Sequence, residues 1–114
     1  MQKFINGFVF AFRGIVVALC SQLNMKVHFA AAMLVIVGGI YYRLQPWEWV
    51  AVVLSIGLVM ALELLNTAIE DLVNLIHPEW NVRAGRIKDL AAGAVLVGAV
   101  AALVVALIVF LPKI

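Results

Sequence analysis

The chain has 114 residues, 67% of them hydrophobic and 12% charged, with a mean hydropathy of +1.16. A soluble domain is roughly 45–50% apolar, and one this small has too little interior to hide the surplus, so a water-soluble globule is excluded and lipid must solvate most of the surface. A net charge of +2 is too small for a nucleic-acid binder, and the single cysteine, Cys20, excludes an intrachain disulfide. Cys20 is expected to be a buried, inert thiol.

The segment 3–22 is expected to form an amphipathic surface helix. Phe4, Phe8, Phe12, Ile15 and Leu19 recur at spacings of three and four and make one apolar stripe facing the membrane, while Asn6 and Arg13 fall off it. That pattern suits a helix lying in the membrane interface; a first membrane span is the alternative. Asn6, Gly7 and Arg13 interrupt the run and no small-residue cleavage site follows it, so it does not read as a secretory signal peptide.

A polar break, SQLNMK, leads to a first span over 27–44, closed by Tyr41, Tyr42 and Arg43 as interfacial anchors. His28, at its start, reads as an interfacial residue. Pro46 opens the second span, 47–76, with Trp47 and Trp49 as an aromatic belt. At 1.5 Å per residue this helix is about 45 Å long, more than a bilayer core requires. The segment 77–89, HPEWNVRAGRIKD, reads as a polar loop, and 90–111 as a third span rich in small residues that allow close helix approach. The whole chain, 1–114, is thus a single all-α membrane domain with three transmembrane helices. Lys3, Arg13, Lys26, Arg83, Arg86 and Lys88 fall on one side and only Arg43 and Lys113 on the other. The positive-inside rule puts the N-terminus and the 77–89 segment in the cytoplasm.

The second span ends in ELLNTAIED. Residues three, four and seven apart share a helix face, so Glu63, Asn66, Thr67, Glu70 and Asn74 line up, with Asp71 pointing away. Glu63 and Glu70 lie roughly 10 Å apart along the axis, too far to chelate one ion together. A carboxylate at the depth of Glu63 is partly desolvated and takes up a proton more readily, as a general base for an alcohol must. Glu70, nearer water, suits Mg²⁺, an ion that takes a few carboxylates together with substrate phosphates. Arg83, Arg86 and Lys88 offer cations to phosphate oxygens. Together these are the parts of phosphoryl transfer. Two blander readings stand beside this one: Glu63 as a buried carboxyl bonded to a neighbouring helix, and the basic residues as topology determinants alone. No P-loop and no GxGxxG is present, so a nucleotide site would be non-standard.

ELLNTAIE at 63–70 and KDLAAGAVL at 88–96, with FRGI at 12–15 and NMKVH at 24–28, resemble the small bacterial integral-membrane diacylglycerol kinase and undecaprenol kinase family over nearly the whole chain. The resemblance implies an ATP- and Mg²⁺-dependent lipid kinase of the bacterial inner membrane, a homotrimer whose active sites are shared between subunits and face the cytoplasm. Carried over residue by residue, it implies that Glu63 is the general base and Asn66 its polar partner. Glu70 would hold metal and face the nucleotide, with Lys3, Glu79, Trp80, Asn81, Lys88 and Asp89 around ATP and Phe12, Arg13 and Gly14 bordering the lipid. Two positions depart from the family's diacylglycerol branch: Gln22 stands where that branch has a second metal-binding glutamate, and Asn74 where it has an aspartate. NTAIE and AAGAVL look more like the undecaprenol branch, so undecaprenol is the favoured substrate and diacylglycerol the alternative. The reading from another class is a non-catalytic membrane scaffold, or a subunit whose acids carry protons or ions.

Overall fold

The computed structural model describes all residues, 1–114, as helices joined by short turns: α1 Gln2–Ser21, α2 Leu23–Tyr41, α3 Pro46–Ile76, α4 Val82–Phe110 and a final 3-10 turn, Leu111–Lys113. All four long helices are long and apolar enough to cross a membrane. By that measure α1 qualifies as a span too, although its apolar residues are the most one-sided of the four.

The buried positions of α2, α3 and α4 follow a seven-residue rhythm: Met25, Ala32 and Gly39 on α2; Val52, Val59, Asn66 and Val73 on α3; Ala84, Ala91 and Gly98 on α4. A repeat of seven is the signature of helices crossing at shallow angles with side chains interleaved. The α3 seam carries valines while α2 and α4 answer with alanine and glycine. A methyl group on Gly98 would sit 2.6 Å from a Leu62 methyl, and one on Gly39 would sit 2.7 Å from the Trp49 ring. These glycines set how closely the helices approach.

At the α2–α3 turn, Leu44, Val52 and Val109 form the apolar core, flanked by Val35, Trp49, Ile56, Val105 and Phe110. Trp49 is therefore packed against α2, and only Trp47 keeps the exposed position of a belt residue. Helix α2 stops at Tyr41, short of the expected 44, because Arg43 turns left-handed at φ 53° and Leu44 N donates back to Gly39 O at 3.1 Å. Helix α3 then starts on Pro46, where Gln45 N donates to Glu48 Oε1 at 2.8 Å. Glu48 is buried and its other oxygen meets Lys113 Nζ at 3.1 Å, tying the start of α3 to the end of the chain.

Three further expectations are corrected. Helix α4 begins at Val82, eight residues before the expected 90, so the connection is only 77–81 and Arg83, Arg86, Lys88 and Asp89 are helical. Asn81 is the cause: its Oδ1 accepts from Ala84 N at 2.8 Å and caps the helix. Helix α2 likewise begins at Leu23, four residues earlier than 27. Cys20 is exposed, because α1 lies almost clear of the other helices and buries only Ala18.

A candidate active site on the polar face of α3

The last turns of α3 carry the acids. Glu63 is 1% exposed and Asn66 6%, on a helix otherwise built for an apolar surrounding. Asn66 occupies a seam position where Val52, Val59 and Val73 stand in the other turns, which is why its amide is pressed into the bundle. Its Nδ2 donates to Glu70 Oε1 at 3.3 Å, so Asn66 orders Glu70 rather than Glu63. Thr67, on the same face, spends its hydroxyl on Glu63 backbone O at 3.0 Å.

Two buried atoms on this face have no hydrogen-bond partner: Glu63 Oε2 and Asn66 Oδ1. Both are acceptors, and an unsatisfied buried acceptor costs about 1–3 kcal/mol. A face that keeps two such atoms is built to receive donors. Across the bundle stands His28 on α2, whose Nε2 lies 3.7 Å from Glu63 Oε2. An apolar cavity of about 240 Å³ opens beside His28 between α2, α3 and α4, with His28 and Ser55 its polar wall and Val59, Ala99 and Ala102 among its apolar lining.

At the cytoplasmic end expected from the charge pattern, α4 returns alongside α3. Lys88 Nζ donates to Asn74 Oδ1. Asn74 is one turn beyond Glu70, so the start of α4 brings a cation to the end of the same polar stripe. Asp89 follows it, exposed. The 77–81 elbow is held by its own side chains. Asn81 Nδ2 meets His77 Nε2 at 2.9 Å and His77 Nδ1 meets Glu79 O at 2.7 Å. One neutral tautomer satisfies both, with Nδ1–H donating and Nε2 accepting. Both ends of the Asn81 amide are thus committed to the elbow. Glu79 and Trp80 project from it, and the Trp80 indole leans over Gly85.

The structure therefore brings Glu63, Asn66, Glu70 and, through Asn74, Lys88 onto one stripe. Lys3, Phe12, Arg13, Gly14 and Gln22 make no hydrogen bond or ion pair with it in the single chain. Arg13 instead lies 5.6 Å over the Phe10 ring, and Gln22 caps the α1–α2 junction through its backbone alone. No group of three or more His, Cys, Asp or Glu side chains is gathered anywhere. Mg²⁺ suits such a site only by arriving with substrate phosphates, which complete its oxygen shell; one carboxylate at Glu70 and nearby amides fit that mode. His28 was not legible as part of the stripe. It falls three residues after Met25 and four before Ala32 on the inward face of α2, but that helix is apolar on every side, so its inward face has no compositional mark.

Comparison with known proteins gives the family. The family model for prokaryotic diacylglycerol kinase matches residues 9–110. An undecaprenol kinase of Bacillus subtilis is 42% identical over 99% of this chain and 92% of its own length. A diacylglycerol kinase of Synechocystis is 36% identical over 93% of this chain and 61% of its own length, and one of Escherichia coli 28% identical over 90% and 84%. This kinship decides against a carrier or scaffold: the chain belongs to the prokaryotic diacylglycerol kinase family and is a lipid kinase.

Proposed function

We propose that this kinase transfers the γ-phosphoryl group of ATP to the primary hydroxyl of undecaprenol, at the cytoplasmic face of a bacterial inner membrane. The observation that carries the site assignment is the Glu63 carboxylate, buried on a membrane helix with neither oxygen held by a hydrogen bond. In this reading the lipid hydroxyl donates to the Glu63 carboxylate. As the proton passes to Glu63, the alcohol oxygen bonds to the γ-phosphorus and the bond from that phosphorus to the β–γ bridging oxygen breaks, releasing ADP. Asn66 holds Glu70 in place. Glu70 and Gln22 are the residues that would hold Mg²⁺, which when bound neutralises charge on the phosphates. Lys88 and Asp89 flank the nucleotide, with Glu79 and Trp80 on the elbow that Asn81 shapes and Lys3 approaching from α1.

Helix α1 is taken as the surface helix, supported by its one-sided apolar face and its slight burial, with Phe12, Arg13 and Gly14 bordering the lipid. The other three helices span. No side chain of α1 makes a hydrogen bond or ion pair with the α3 stripe within one chain, a gap that a neighbouring copy in a homotrimer would fill. Undecaprenol is favoured over diacylglycerol by the 42% identity to the Bacillus subtilis undecaprenol kinase against 28% to the Escherichia coli diacylglycerol kinase. Diacylglycerol remains the second reading because the Synechocystis relative of that name is 36% identical.

The test is ATP-dependent phosphorylation in bilayers with both lipids offered side by side and Mg²⁺ present. Label in undecaprenol phosphate, lost in Glu63→Gln, is the expected result. Label only in phosphatidic acid overturns the substrate. Label in neither, from folded protein over a range of Mg²⁺, overturns the activity of this chain and points to Gln22, which Gln22→Glu would test by restoring a carboxylate.

A further inference from the structure

We propose that His28 is a positioning residue for Glu63: its imidazole N–H fixes one carboxylate oxygen so that the other is presented to the alcohol. The inference rests on the reading of Glu63 as the base. Glutamate has three rotatable bonds, and a base must hold one oxygen within hydrogen-bond reach of the proton it removes, where a misplacement of about 1 Å can cost 10²-fold in rate. Something must hold this carboxylate, and the neighbours on its own helix do not. Thr67 is committed to a backbone carbonyl, and the Asn66 amide donates to Glu70 and turns a bare acceptor inward. Ser55, on the wall of the adjoining cavity, donates to Ala51 O at 2.8 Å.

That leaves His28. Its Nε2 faces Glu63 Oε2 across the α2–α3 seam at 3.7 Å, a few tenths of an ångström from a hydrogen bond, and is the one side-chain donor that meets that orphaned oxygen. The distance is to Oε2, so in this reading Oε1 is the oxygen left for the alcohol. The burial is graded in the right sense: the His28 side chain is 23% exposed and that of Glu63 1%, so the donor sits on the open side of the carboxylate and also walls the apolar cavity. The backbone supports it, since Met25 and Ala32, both buried on the same face of α2, pin the helix on either side of His28. A neutral imidazole protonated on Nε2 is sufficient; no charge on His28 is required.

The test uses the full-length protein in bilayer nanodiscs with whichever lipid alcohol it labels. His28→Leu is expected to lower kcat about 10–100-fold with KM for Mg²⁺–ATP unchanged. His28→Gln, whose amide N–H can reach the same oxygen, is expected to recover most of the loss. A ¹⁵N-histidine NMR spectrum, in which His77 is the only other signal source, is expected to show His28 protonated on Nε2 and shifted by Glu63→Gln. His28→Leu with kcat within about twofold of the parent, a raised lipid KM with kcat intact, a Gln variant no better than Leu, or an imidazole signal indifferent to Glu63→Gln each overturns the proposal. Should His28→Leu not fold, the Gln variant and the NMR signal decide. Glu63→Gln separates the two levels: turnover surviving in that variant removes the base itself, while turnover lost there but normal in His28→Leu removes only the positioning role.

Discussion

Helix α3 buries two glutamates, and they are treated in opposite ways. Glu48, in the first turn, is 5% exposed and answered on both oxygens, by Gln45 N at 2.8 Å and by Lys113 at 3.1 Å, beside the packed core of Leu44, Val52 and Val109. Glu63, four turns on, is 1% exposed and its carboxylate takes no hydrogen bond at all, with only His28 facing it across the α2–α3 seam. Burial alone does not distinguish a structural acid from a chemical one. Satisfaction does: an acid that closes a helix end has its partners built in, while an acid that must accept a proton from something that comes and goes keeps an acceptor free.

The contrast can be pressed at graded cost. Glu63→Gln should remove a factor of about 10²–10⁴ from turnover, the contribution of a general base, while radiolabelled lipid assays and nucleotide binding on the same sample show ATP still bound. Glu70→Ala should act one step earlier, raising KM for Mg²⁺–ATP about tenfold or more, as loss of a carboxylate that would hold the phosphate-bound Mg²⁺ does; an unchanged KM with only kcat reduced would move Glu70 off the nucleotide. At the structural end, Gly39→Ala drives a methyl into Trp49 and Leu44. Overpacking of that kind costs about 1–3 kcal/mol, to be seen as a lower thermal midpoint in detergent with turnover per folded molecule retained. The smallest effect belongs to Arg43, held at φ 53° in the α2–α3 turn. Arg43→Gly should raise stability by about 1 kcal/mol or less, because glycine relieves the left-handed strain but gains freedom in the unfolded chain.

The two ends also differ in how far they could be read from the sequence. The ELLNTAIED stripe announces itself, because four polar residues at helical spacing stand out against lipid-soluble neighbours, and Glu63, Asn66 and Glu70 fall together in the structure as that spacing requires. The span of α3 was equally plain, with Pro46 marking its start. The Glu48–Lys113 pair was invisible, since its partners lie at opposite ends of the bundle sequence and pair only once α4 has folded back. His28 was hidden for the related reason that α2 shows no polar face from which its inward side can be told. The start of α4 was misplaced because Arg83, Arg86, Lys88 and Asp89 look like a loop by polarity. They are good helix residues behind a capping asparagine, and that local signal outweighs hydropathy where the helix leaves the membrane.

The most direct measurement sets the two acids against each other. Glu48→Gln and Glu63→Gln would be purified in the same detergent and assayed for lipid phosphorylation and for thermal unfolding. The account predicts a crossed result: Glu63→Gln is inactive with a midpoint no lower than the parent, and Glu48→Gln is active with a midpoint clearly reduced by the broken clasp to Lys113. Turnover surviving in Glu63→Gln, or lost equally in both with equal loss of stability, would contradict the claim that the unsatisfied acid on α3 is the one that does the chemistry.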